Sequence, residues 1–181
     1  MLVYSIEVAD ERLTATFEQL AMPLFSQLYN FAHWLTQDRS EAEDLVQETY
    51  VKALRGFASF QQGTNFRAWM YRILRNTFLT SRSSSKASAT RALEEEDDEQ
   101  LPATEVTPES ILIASTQKEM LQNALSELPV PFREILLLCE FEEMSYQEIS
   151  ETLGIPAGTV MSRLSRARRA LRVILSRNIK G

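Results

Sequence analysis

The chain has 181 residues, 44% of them hydrophobic, and its 19 basic and 25 acidic side chains leave a formal net charge of −6. That length allows one large domain or two small ones, and the composition is that of a water-soluble globular protein. One cysteine excludes an internal disulfide and a cysteine cluster for metal, no apolar run approaches the length of a membrane span, and the opening MLVYSIEVADER lacks the layout of a signal peptide. A cytoplasmic protein with no membrane span is expected.

The pattern is helical almost throughout. Phe17, Leu20, Leu24, Leu28 and Phe31 recur at helical spacing, with Pro23 as a first-turn residue or a kink. His33 stands alone, with no histidine at i+4, and reads as a packed or surface side chain. Ser40 and Glu43 have capping-box spacing and open SEAEDLVQETYVKALRGF, where Leu45, Thr49 and Ala53, flanked by Val46, Tyr50 and Leu54, form the buried stripe. Gly56 and the following FASFQQGTN read as a helix end and a loop. A third helix, FRAWMYRILRNTFL, is predicted over Phe66–Leu79 with Phe66, Met70, Ile73 and Thr77 on one face.

Residues 80–107 then change character. A serine-rich basic stretch runs into EEEDDE with almost no large apolar side chains, so the segment cannot bury enough surface to offset its ordering entropy. It reads as a flexible linker. Residues 93–110 hold eight acids and no bases, and without them the net charge moves from −6 to +2. The acidic run lacks the spaced ligands and turn glycine of a calcium loop.

Helical patterning resumes at Pro108, with Ile111, Ala114, Met120, Leu121, Leu125 and Leu128 leading to Pro129. Pro131 opens a further helix through Cys139, which reads as a small core residue. Ser145 and Glu148 form a second capping-box signal; Tyr146, Ile149 and Leu153 follow at helical spacing, Gly154 supplies a left-handed stop, and Pro156 enforces a turn. The last helix starts near Ala157. At about 100° per residue, Val160, Leu164, Ala167 and Leu171 share an apolar face. Ser162, Ser165, Arg166 and Arg169 lie opposite, with Thr159, Met161, Arg163 and Arg168 on the flanks. From Ala157 to Gly181 there are seven basic residues and no acidic ones. This is the layout of a helix-turn-helix whose second helix enters the DNA major groove.

The expected fold is all-α, with two small helical domains over residues 1–80 and 108–181 joined by a flexible acidic linker over 81–107. The chain contains no Gly-rich phosphate loop, nucleophile elbow or HExxH pair. No enzyme activity, metal or cofactor is expected.

In order along the chain, DLVQETYVKAL, FRAWMYRILRNTFL, the linker and LPVPFREILLLCEFEEMSYQEISETLGIPAGTVMSRLSRARRALR resemble the bacterial sigma-70 family. They resemble its compact extracytoplasmic-function group, which keeps only regions 2 and 4. The resemblance implies an RNA polymerase sigma factor that promotes transcription initiation at chosen promoters. It implies a region 2.2 face (Asp44, Gln47, Glu48 and Lys52) docking on the β′ clamp helices, with region 4 on the β flap. It implies contacts to the −10 element from Phe60, Asn65, Arg67, Trp69, Arg72, Arg75 and Asn76, with Phe66 mainly packing. Contacts to the −35 element fall to Thr159, Ser162, Arg163, Ser165, Arg166, Arg168 and Arg169. A base drawn out of a duplex needs an aromatic or polar pocket and cations along its backbone, and the Phe60–Asn76 segment carries both. An anti-sigma factor is the further partner implied. Met161 stands where many relatives carry lysine or arginine, and the acidic residue that many place near Thr80 is absent.

Two other readings make different demands. A stand-alone regulator of the LuxR type would bind an operator without polymerase and leaves the N-terminal blocks unexplained. A helical hydrolase built on His33 and nearby acids would bind metal or substrate.

Overall fold

The computed structural model describes residues 2–85 and 115–180, which form eight α-helices and no strand. Helices α1 (Leu2–Ala21) and α2 (Phe25–Thr36) are separated by a 3-10 turn over Met22–Leu24. Pro23 sits in the first positions of that turn, where its missing N–H costs no helical bond. The break resets the helical phase. Phe17, Leu28 and Phe31 are buried as the spacing predicts, but Leu20 is 42% exposed and Ala21 takes its place in the core.

Gln37, left-handed at φ 59°, ends α2, and the next helix, α3 (Arg39–Gly56), begins two residues later. This corrects the expected Ser40–Glu43 capping box. Asp38 is the N-cap, extended at φ −135°, and its carboxylate accepts the Glu41 N–H at 2.8 Å. A carboxylate just upstream of Ser40 captures the orphan donors first, leaving Ser40 inside the first turn and Glu43 paired with Arg39. Leu45, Thr49 and Ala53 are buried as expected.

Helix α4 (Phe66–Ser85) continues six residues past the predicted Leu79 and takes in the first residues assigned to the linker. Hydroxyls sustain the extension by donating to carbonyls one turn back: Thr80 to Asn76, Ser81 to Phe78 and Ser83 to Thr80. The remaining linker and the expected restart at Pro108 lie outside the described residues.

The C-terminal domain comprises α5 (Ser115–Glu127), α6 (Val130–Leu136) continued by a π-helical turn (Leu137–Phe141), α7 (Tyr146–Leu153) and α8 (Ala157–Lys180). The predicted helix from Pro131 to Cys139 thus starts at Val130 and widens after Leu136, where the Glu142 N–H reaches back to the Leu137 carbonyl.

The two domains pack directly on one another. α4 lies between α3 and α7, which is why it buries more than one stripe: Met70, Tyr71, Leu74, Thr77 and Phe78 are all buried. α2 meets α6, and the apolar cores of both domains merge into one cluster.

Candidate nucleic-acid and polymerase interfaces

The helix-turn-helix is assembled by local chemistry. The Ser145 hydroxyl accepts the Glu148 N–H at 3.2 Å while the Glu148 carboxylate accepts the Ser145 N–H at 2.8 Å, a complete capping box. Those bonds, the Ser145 N–H foremost and the Asn65 amide next, hold the Glu148 carboxyl below its ordinary range. Gly154 closes α7 at φ 67°, and α8 begins after Pro156. Val160, Leu164, Ala167 and Leu171 are buried, fixing the roll of α8. Ser162, Ser165, Arg166 and Arg169 face solvent, beside Met161 at 58% exposure, and Thr159 is half-buried. The two flanking arginines are engaged within the domain. Arg168 Nη2 is 2.6 Å from Glu140 and Arg163 Nη1 is 4.0 Å from Glu134.

On the N-terminal domain, Phe60, Phe66 and Trp69 form a half-buried aromatic nest with buried Phe57, the Phe60 and Trp69 rings lying 4.9 Å apart. Asn65 caps α4 by accepting the Ala68 N–H at 3.0 Å. Arg67, Arg72 and Arg75 leave the helix at i, i+5 and i+8, and Arg72 and Asn76 are exposed. The row ends on the other domain. Asn65 Nδ2 donates to Glu148 at 2.9 Å, and Arg67 Nη2 donates to the Glu142 carbonyl at 2.6 Å. Arg72 Nε donates to the Glu151 carbonyl at 2.8 Å, and Arg75 grips both oxygens of Glu134 at 2.7 and 3.0 Å.

The third surface is the outer face of α3. Asp44, Gln47, Glu48 and Lys52 are all exposed there, with Lys52 bridging Glu48 at 2.7 Å and Thr77 at 3.3 Å. Glu41, Asp44 and Glu48 rim a cavity of about 510 Å³ floored by Leu45 and Phe78.

Residues 20–87 match sigma-70 region 2 and residues 118–171 match sigma-70 region 4. Over 172 residues the chain is 38% identical to the ECF RNA polymerase sigma factor SigE of Mycolicibacterium smegmatis, spanning 91% of this chain and 66% of that protein. It is 34% identical over 158 residues to the RNA polymerase sigma factor YlaC of Bacillus subtilis, spanning 87% of this chain and 90% of that one. The chain belongs to the sigma-70 family.

It falls in the extracytoplasmic-function group, whose members direct RNA polymerase to promoters and are not enzymes. Among solved structures it superposes on the sigma factor RpoE in complex with the anti-sigma factor NepR from Bartonella quintana. The TM-score is 0.70 at 30% identity, over 89% of this chain and 97% of that one. No helix among the described residues is long and apolar enough to cross a membrane.

The sigma factor also uses residues that sequence reasoning did not single out. Glu134, fully buried, stands between Arg75 of region 2 and Arg163 of region 4. Glu142 accepts from Arg67 and from the Tyr71 hydroxyl; burial raises its carboxyl above the ordinary range against the opposing pull of Tyr71 and Arg67. Burial likewise raises Tyr71. Arg133 donates to the carbonyls of Leu125, Ser126 and Leu128 and, across the domain boundary, to that of Leu35 at 3.0 Å. The one available signal was a charged Arg-Glu pair inside an apolar run, FREILLL, where side chains need partners to be buried. Cys139 is half-buried, and burial raises its thiol above the ordinary range, so it is not an activated nucleophile.

Proposed function

We propose that this extracytoplasmic-function sigma factor works as a two-point promoter clamp. The outer face of α3, with Asp44, Gln47, Glu48 and Lys52, docks on the polymerase β′ clamp helices, and region 4 meets the β flap. The exposed face of α8 reads the −35 element as duplex, Ser162, Ser165, Arg166 and Arg169 reaching base edges and Thr159 supporting them. Arg163 and Arg168, on the flanks, hold phosphates. The Phe60–Asn76 segment receives the −10 non-template strand, with Phe60 and Trp69 offering ring faces and Asn65, Arg67, Arg72, Arg75 and Asn76 offering polar and cationic contacts.

The single observation that carries this reading is the α8 face. An exposed serine and arginine surface of one charge sign follows a capped helix and a left-handed glycine turn, the geometry that presents a helix to the major groove. The N-terminal domain then separates a sigma factor from a free-standing operator binder, because its α3 and α4 surfaces have no role in the latter. The reading places the protein in the cytoplasm, with promoter DNA and core polymerase as partners. An anti-sigma factor is a further proposed partner, supported by the likeness to RpoE held by NepR. Run-off transcription with purified core polymerase on a pool of genomic fragments tests the function. Promoter-specific transcripts that depend on this chain are expected, and their absence across the pool defeats the proposal.

A further inference from the structure

Met161 is the one long side chain that the opening stretch of α8, Ala157–Leu164, leaves free in solvent. Val160 and Leu164 are buried there, Thr159 is half-buried, and Ala157 and Gly158 have no reach. The Ser162 hydroxyl donates to the Thr159 carbonyl at 3.2 Å. Arg163 turns back to within 4.0 Å of Glu134 and keeps 21% of its side-chain surface exposed. Met161, by contrast, is 58% exposed. A helical side chain leans over the turn N-terminal to it, and here that turn is Ala157 and Gly158. Nothing lies within 4 Å of a carbon added to Gly158, so the space beside the thioether is open. Met161 therefore projects at the end of α8 that meets base edges when a helix-turn-helix docks.

Its chemistry narrows what it can meet. A thioether has no proton to donate and no charge, so a phosphate offers it nothing. It is not part of an apolar strip for a protein partner either. Among the described residues of α8 the other exposed large apolar side chain is Val173, twelve positions on and about 18 Å along the axis. In the major groove every base edge presents hydrogen-bonding groups, and thymine alone adds a methyl. That methyl is the apolar partner available to Met161, and a flexible, polarizable side chain can settle on it without a fixed geometry.

Resting on the assignment of α8 to the −35 duplex above, we propose that Met161 is a specificity-determining residue that packs on the C5 methyl of a thymine in the −35 element. It selects thymine by apolar contact, while Ser165, Arg166 and Arg169 on the same exposed side of α8 read by hydrogen bonds.

Competition binding of holoenzyme to a promoter duplex mapped by run-off transcription tests this. Each −35 thymine, on either strand, is replaced in turn by uracil, which removes the methyl and keeps every hydrogen-bonding group. Burial of one methyl-sized group corresponds to about fourfold in affinity, so wild type is expected to lose about threefold to fivefold at one position or two adjacent ones. Met161→Ala is expected to bind the thymine and uracil duplexes alike at that position. The site is exposed, so the variant keeps its fold, which circular dichroism checks. No uracil effect at any position, or an effect of the same size in Met161→Ala, overturns the thymine contact. Arg166→Ala holoenzyme on the same duplexes distinguishes the two ways of failing. If it relaxes −35 preference while uracil is neutral for wild type, α8 reads the element and the Met161 contact alone fails. If scrambling the −35 element changes the binding of neither wild type nor Arg166→Ala, α8 does not read that element and both assignments fail.

Discussion

A guanidinium buried to 7% exposure needs its charge answered, and Arg133 finds the answer in backbone oxygens. Three belong to the end of α5 and the turn after it, and one to the last turn of α2, where unsatisfied carbonyls carry partial negative charge. Burial lowers its pKa below the ordinary guanidinium range. Arg133→Met strands all of these acceptors, so a loss of about 3 kcal/mol is expected, a fall in Tm of about 6–12 °C for a chain of this size. Lysine cannot restore it, because only the planar fork reaches carbonyls in several directions. A Tm within about 2 °C of wild type contradicts this role. On α8 the arginines divide by partner. Arg166 projects to solvent, whereas Arg168 is held by Glu140. Arg166→Ala is expected to relax −35 sequence preference by about 1–3 kcal/mol, and Arg168→Ala to weaken consensus and scrambled duplexes alike. Equal losses on both duplexes for Arg166→Ala count against its base contact.

At the scale of the element, α7 and its turn show how short-range chemistry positions the helix that follows, α8. Ser145→Ala removes one arm of the capping box and is expected to cost about 1 kcal/mol. Gly154→Ala meets no steric neighbour, since nothing lies within 4 Å of the added carbon, but must hold an L-residue at φ +67°. That costs about 1–2 kcal/mol. Both losses are read as a lowered urea midpoint with unchanged slope. An unchanged midpoint for Gly154→Ala contradicts the left-handed cap. The pair also marks what a sequence discloses about helix ends. Ser145 to Glu148 was legible because nothing upstream competes for the same donors. Ser40 to Glu43 has the same spacing yet is not a cap, because Asp38 precedes it in an extended conformation. The α4 extension was hidden for a similar reason: serine favours turns on propensity, and only its bonds to the preceding carbonyls reveal it as helix here.

For the whole molecule, stability carries a pH dependence. Burial holds the Glu142 carboxyl above its ordinary 4.5, so the folded chain binds that proton more tightly than the unfolded one. Such a group favours the folded form in acid; the gain is complete below 4.5 and is lost as pH rises through the raised value. Glu148 shifts the other way, chiefly through the Ser145 N–H within its own domain. The stability of wild type relative to Glu142→Gln, read as urea midpoints, is therefore expected to be greater at about pH 5 than at about pH 8. A difference that instead moves in favour of wild type as pH rises contradicts this assignment. The apolar periodicity of α3, α7 and α8 made the buried stripes and the solvent-exposed side of α8 legible, because the buried stripe dictates the opposite face. The apposition of the domains was not legible. It rests on arginines 67, 72 and 75 meeting glutamates and carbonyls some 60–80 positions away, and no local pattern encodes such pairs. The clamp itself is tested most directly by sequencing the 5′ ends of transcripts made by holoenzyme on the genomic pool. Two shared upstream blocks at one fixed spacing are expected, with Arg166→Ala relaxing only the upstream block. A single shared block, or loss of both blocks together, contradicts the account.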